Sequence, residues 1–464
     1  MRFVKLEGLL KRARSSLERI RRSPVASTVL VNGAANVVRL SISLATIPAL
    51  LRNLGQDGLG IWMIAMSSMG IIGFVNAGLA SAVISGVSRA TSQKGGRDAR
   101  NREATSGMVL AAMCGTALIA IGLPLSSFVD WQARLSLVGN ISASDVERLM
   151  GVLVVTLGVG FPSNVPKFVL LGAMRGPAAY ALDLISAIIS GLLLLLAILE
   201  RLPIYWLAFF FLAPQMLTLL AGGALLLRRE GISFYRPRDF SFVTFRHLFR
   251  EGSKLAISQA AFAISTHSDL TLIGIIAGAS SAATYGVAQR LFGIPVMFAG
   301  ILNDALWPAL SKADAEGRAE WVRGVFMKVL LITGFLMSVM AIILLIYYDK
   351  IVFLWLKQTV TSDWPMLSGF GVCMIINMIV HTSDALLKAL RKTGTIAKAM
   401  STMMLINVVL SFLLIHAIGA AGAIWGTVIA YIICLVIPYG QTIRRILWNP
   451  PGTAVAAATV ERLS

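Results

Sequence analysis

Twelve apolar runs, at about 28–51, 59–88, 105–129, 150–173, 178–199, 204–227, 255–278, 282–310, 324–348, 365–390, 396–416 and 420–443, take up most of this 464-residue chain. A helix of roughly 20 apolar residues crosses a hydrocarbon core of about 30 Å, and each run is long enough. Only helices and closed barrels satisfy every backbone group inside lipid, and continuous runs without strand-like alternation select helices. Composition agrees: 57% of residues are hydrophobic and 14% charged, against roughly 45–50% and 25% in soluble domains. The reading is an all-α polytopic membrane protein of about 12 transmembrane helices. Pro48, Pro162, Pro166, Pro214, Pro295 and Pro308 fall inside runs; in a membrane bundle, neighbouring helices satisfy the backbone groups a proline frees. Pro162 and Pro166 bracket Asn164 and read as a hinge.

The formal charge of +19 would raise the question of nucleic acid in a soluble chain. Here the basic residues sit in clusters between apolar runs, and topology accounts for them without nucleic acid. With the N-terminus inside and the spans alternating, 32 of the 41 Lys and Arg fall on the cytoplasmic side, six on the other, and Arg39, Lys167 and Arg290 inside spans. That asymmetry places both termini in the cytoplasm. Residues 1–27 form a basic amphipathic segment suited to an interfacial helix, too long in its basic part for a cleaved signal. The predicted organisation is 1–27, an N-lobe at 28–227, a basic cytoplasmic linker at 228–254, a C-lobe at 255–443 and a cytoplasmic tail at 444–464. Cys114, Cys373 and Cys434 lie in apolar runs without ligand spacing and read as packing residues.

Ionisable groups inside hydrocarbon cost roughly 3 kcal/mol each and normally face a cavity or a partner. Asn32, Asn36, Arg39, Ser43 and Thr46 share one helix face, with Arg39 about 18 Å along from Ser27. Arg39 therefore lines a cavity or is satisfied by packing. Asn377, His381, Asp384 and Lys388 repeat the device, and Asp384 can pair with Lys388 as a salt bridge near a gate. Ser258, Phe262, Ser265 and Asp269 form a third stripe, and Gly286, Arg290, Gly293, Met297 and Asp304 form another on the next helix. Asp269 is the expected partner of Arg290, whether as a coupling group or as a salt bridge holding two helices. Lys167 lies about 9 Å from a helix end, within snorkelling reach.

The two halves share a weak internal similarity: LGQDGLGIW at 54–62 and AGASSAATY at 277–285 each place an aromatic seven residues after a glycine. These segments, within IPALLRNLGQDGLGIW at 47–62 and HSDLTLIGIIAGASSAATYGVAQRLFGIP at 267–295, together with ALWPALS at 305–311, DALLKALRKTG at 384–394 and GAAGAIWGTVIAY at 419–431, resemble the Wzx-type polysaccharide flippases of the multidrug/oligosaccharidyl-lipid/polysaccharide (MOP) superfamily. The resemblance implies two six-helix lobes around a central cavity that opens alternately to either side. It also implies that Arg290, in an A-x-R-L-x-x-x-P context shared with lipid II flippases of the superfamily, lines that cavity.

The expected function is transport of an undecaprenyl-pyrophosphate-linked oligosaccharide across a bacterial inner membrane for O-antigen, capsule or exopolysaccharide synthesis. Arg39, Arg290, Asn32, Asn36 and Lys167 are the expected substrate-binding residues, because Arg binds phosphate oxygens bidentately. Asp269, Asp384, His381 and Asp304 are the expected coupling and gating residues, for H+ or Na+, with no other cofactor. Membrane lipids and other polysaccharide assembly proteins are the remaining expected partners of a monomer. A lipid II flippase and a MATE-like exporter are the nearest rivals. An enzyme such as a glycan polymerase or ligase is disfavoured, since the chain carries no P-loop, HExxH or Cys/His metal set.

Overall fold

The computed structural model describes residues 24–91, 96–129, 131, 141–233, 235–360 and 362–448. Most of the expected N-terminal amphipathic segment, and the tail from residue 449, lie outside the described residues. Among the described residues, every regular element is helical. Helix α1 spans Pro24–Thr91, followed by α2 (Gly96–Ser127), α3 (Ala143–Gly172), α4 (Gly176–Leu199) and α5 (Ile204–Arg229). After a short 3-10 turn at Pro237–Asp239 come α6 (Phe242–Ile276), α7 (Ala279–Ala315), α8 (Ala319–Leu356), α9 (Trp364–Ala389), α10 (Thr393–Ile418) and α11 (Ala421–Leu447). The final helix before the middle of the chain and the final helix of the chain each contain one π-helical turn, at Thr218–Gly222 in α5 and Ile432–Val436 in α11.

Nine helices among the described residues are long and apolar enough to cross a membrane, and His267–Ile276 in α6 is a further, shorter apolar stretch. Twelve were expected; α1 carries the first two runs as one helix bent at Gly55. Phe335, Ile346, Leu405 and Ile121 are more than 60% exposed, a cost in water that a lipid surround removes. Asp183, Asp269, Asn407 and Ser411 are buried instead.

The chain forms two compact units: Met1–Gly58, Ile72–Gln132 and Val138–Gln259 in one, Leu59–Ile71, Ala133–Leu137 and Ala260–Ser464 in the other. The linker therefore belongs with the first unit, and residues 59–71, placed by the sequence in the N-lobe, pack with the second. The first unit buries Val83, Val87, Val165, Val169 and Leu227 in its core; the second buries Leu310, Leu386, Leu387, Ala430 and Leu435. Glycine permits close helix contacts. A side chain at Gly115 would strike the Gly158 carbonyl between α2 and α3, and one at Gly422 would strike the Leu414 backbone between α10 and α11.

The internal similarity has a backbone counterpart. Gly55 (φ 72, ψ −175) and Gly278 (φ 87, ψ 165) hold nearly the same conformation, in a region open essentially to glycine alone. Residues after the two glycines also meet each other: Gly60 lies against the Ala279 carbonyl and Gly286 against the Met63 side chain, all within the second unit.

The linker is stitched to α2. Backbone amides of Ser233, Arg236 and Ser241 donate to the side chains of Asn101 (3.1 Å), Thr105 (3.3 Å) and Ser106 (3.4 Å), all buried. Arg97 donates to the Gly231 carbonyl at 3.1 Å, and Arg175 pairs with Glu230 at 2.7 Å. Short polar side chains at the start of α2 thus supply the partners that this irregular backbone would otherwise lack.

Candidate transport sites in the two units

In the first unit, α1, α3 and α4 bring together Arg39, Lys167 and Asp183. The Lys167 ammonium lies 2.6 Å from Asp183 Oδ2, and the Arg39 guanidinium 3.3 Å from the same oxygen. The Asp183 side chain is 4% exposed, that of Lys167 17% and that of Arg39 45%. One buried carboxylate thus serves two cations, leaving one net positive charge on a face that Arg39 keeps open. A second guanidinium nitrogen of Arg39 donates to Asn36 Oδ1 at 3.4 Å, holding the fork along the helix, and the half-buried Asn32 lies one turn further on. The Lys167 ammonium also stands 5.7 Å from the Tyr180 ring centroid. Lys167 was expected to snorkel towards a helix end; Asp183 holds it inside instead.

Asp183 is the residue the sequence reading missed, although it is the one acid in the run 178–199. Helix α3 continues through Pro162 and Pro166, with Asn164 donating to the Gly160 carbonyl at 2.6 Å. Against that segment lies the π-helical turn of α5, whose neighbouring Gly223 leaves room for Pro166 and Leu182. These residues flank Lys167 and Asp183, so the turn helps to set the cluster's geometry.

In the second unit, Asp269 of α6 is buried and accepts three hydroxyl hydrogen bonds. Tyr285 donates to Oδ2 at 3.0 Å, Thr427 to Oδ2 at 3.1 Å and Ser411 to Oδ1 at 3.1 Å. Asn407, itself fully buried, donates to the Thr427 oxygen at 2.8 Å and so orients that hydroxyl towards the carboxylate. Tyr285 is fixed by its ring against Phe370, 4.9 Å between centroids. The carboxylate borders a cavity of about 150 Å³ that also meets Gln289, Asn377 and Tyr431. The Asn377 Oδ1 atom is buried without a hydrogen-bond partner. Three hydroxyl donors suit a carboxylate held in a low-dielectric interior.

The expected pairing of Asp269 with Arg290 is not formed. Hydroxyls from α7, α10 and α11 occupy the carboxylate, while Arg290, on α7, is exposed and has no ion pair among the described residues. Asp384 and Lys388 do pair, at 2.6 Å, one turn apart on α9, and His381 is exposed on the same helix. The side chains of Asp304, Ser258, Phe262 and Ser265 lie outside the described residues.

A family model described as polysaccharide biosynthesis protein matches residues 25–314, more than half of the chain. Among solved structures, an inward-facing multidrug resistance MATE family transporter of the MOP superfamily is 16% identical, with a TM-score of 0.73 over 88% of this chain and 98% of that one. A MOP superfamily transporter from Pyrococcus furiosus, whose structure is described by a reverse polarity of the binding pocket, is 15% identical, with a TM-score of 0.61 over 92% and 97%. The fold is therefore that of MOP transporters. No curated protein matches the chain.

Proposed function

Because this chain belongs to the polysaccharide biosynthesis protein family, we propose that it is a flippase carrying a polyprenyl-pyrophosphate-linked oligosaccharide from the cytoplasmic to the periplasmic leaflet of a bacterial inner membrane. The supporting observation is the sign of the charge held among apolar helices. Asp183 neutralises one of two cations in the first unit, and Arg290 in the second is free of any ion pair among the described residues. Guanidinium groups left open in this way suit a diphosphate and oppose a cationic drug, which separates this reading from that of a MATE-like exporter.

In this account Arg39 and Arg290 bind the anionic part of the substrate, with Asn36 and Asn32 extending the polar face of α1 towards the glycan. Lys167 acts through Asp183, setting how strongly that carboxylate restrains Arg39. Asp269 takes the coupling cation, H+ or Na+, since it lines a cavity yet has no basic partner among the described residues; His381, Asp384 and Asp304 are its candidate gating companions. Both termini face the cytoplasm, as the basic residues require.

The test is glycan export in a host lacking the gene, with the accumulating lipid-linked glycan identified by mass spectrometry. Arg39→Ala and Arg290→Ala should each lose most export at matched membrane protein levels. The Arg→Lys variants keep the charge without the planar fork and should retain part of it. Wild-type export by both Ala variants would exclude the cationic mechanism.

A further inference from the structure

The second unit carries an apolar cleft of about 590 Å³ away from Asp269 and its cavity, at the end where the basic residues of α8, α9 and α11 gather. Such a volume lies within the roughly 300–1,000 Å³ of ligand pockets. Its walls are Phe326 and Leu330 of α8, Ile379 of α9 and Val436 of α11. Two local features open it. Val436 ends the π-helical turn, which offsets α11 by one residue, and Gly440, a turn later, contributes no side chain. A Cβ placed at Gly440 would meet nothing within 4 Å, so the space exists for want of a side chain.

The mouth of the cleft is basic. Arg444 lines it beside Trp448, and the Arg323 guanidinium lies over the Trp448 ring, 4.4 Å from its centroid. Neither arginine has an ion pair among the described residues, and Arg445 follows directly. The nearest acid along α9, Asp384, is already committed to Lys388 at 2.6 Å. An apolar slot ending in an indole and guanidinium groups without an ion pair among the described residues matches an amphiphile with a long hydrocarbon chain and an anionic head.

We propose that this cleft binds one anionic phospholipid of the surrounding leaflet, its acyl chain against Phe326, Leu330 and Val436 and its phosphate between Arg444 and Arg323. The site lies within one unit and does not depend on which substrate is transported. A lipid held there ties the ends of α8, α9 and α11 together, so that the stability of the second unit follows the anionic lipid content of the membrane.

The experiment is native mass spectrometry of the purified full chain, titrated with phosphatidylglycerol or phosphatidylcholine, alongside its melting temperature. The wild type should retain one phosphatidylglycerol with a preference on the order of tenfold over phosphatidylcholine. Gly440→Leu fills the cleft with a better helix former and should lose retention of both lipids without a lower melting temperature in lipid-free detergent. The double variant Arg323→Gln, Arg444→Gln removes the two charges, and with them the Arg323 contact to Trp448, but leaves the apolar walls; it should still hold a lipid but without preference between the two. Undiminished phosphatidylglycerol retention by Gly440→Leu would overturn the proposal, as would equal binding of the two lipids by the wild type. So would displacement of phosphatidylglycerol by a polyprenyl pyrophosphate, which would assign the cleft to the transported lipid.

Discussion

A charge placed in an apolar interior is defined by what surrounds it, and the Arg39, Lys167 and Asp183 group illustrates this with three residues. Removing one partner from a buried ion pair costs roughly 3–5 kcal/mol, because the other charge is left without compensation. Asp183→Asn leaves two cations facing each other, whereas Lys167→Met leaves Asp183 still paired with Arg39. Thermal unfolding of the purified variants should therefore show a loss of about 3 kcal/mol for Asp183→Asn and a clearly smaller loss for Lys167→Met. The reverse order would mean that Arg39 does not neutralise Asp183. The cations were legible in the sequence, Arg39 because its own helix carries four other polar residues at helical spacing. Their shared carboxylate was not, because its partners come from two other helices and no spacing along α4 points to them. Asp269 divides the same way. An acid in an apolar run announces itself, but its donors are 16, 142 and 158 residues distant, and only the packed structure brings them together.

Helices in lipid associate through close backbone approach, and this makes glycine positions unequal. Gly60 sits against the Ala279 carbonyl, whereas a Cβ at Gly33 meets nothing within 4 Å. Gly60→Val should cost about 1–3 kcal/mol through overpacking, and Gly33→Val should leave the melting temperature almost unchanged. Equal effects would show that residues 59–71 do not need this contact with the start of α7. The two glycine motifs were readable as a repeat from their equal spacing to an aromatic. Their shared backbone conformation and their mutual packing were not readable, since both depend on chain geometry. Nor were the π-helical turns of α5 and α11, because a one-residue offset leaves no mark on an apolar run. That α3 stays helical through Pro162 and Pro166 agrees with the expectation that a membrane bundle tolerates proline inside a span.

For the molecule as a whole, hydropathy was enough to establish a helical membrane protein, since long apolar runs without strand-like alternation leave helices rather than a closed barrel as the way to satisfy the backbone in lipid. The orientation expected from the basic residues is open to direct measurement. Reporters placed at Lys357, after α8, should read as periplasmic, and those at Gly317, between α7 and α8, as cytoplasmic. An inverted result at either site would undo the alternation of spans. What the sequence could not assign was where one unit ends, because the basic segment taken as a connector is bound into the first unit by Asn101, Thr105 and Ser106. That stitching carries a consequence for synthesis. Ser106 leaves the ribosome 135 residues ahead of Ser241, the backbone it will hold. At about 5–20 residues per second, this gap lasts roughly 7–27 s. Throughout that interval the inserted early helices carry polar side chains awaiting a strand of chain not yet made, so completion of the first unit is timed by translation rather than by the folding of its own helices.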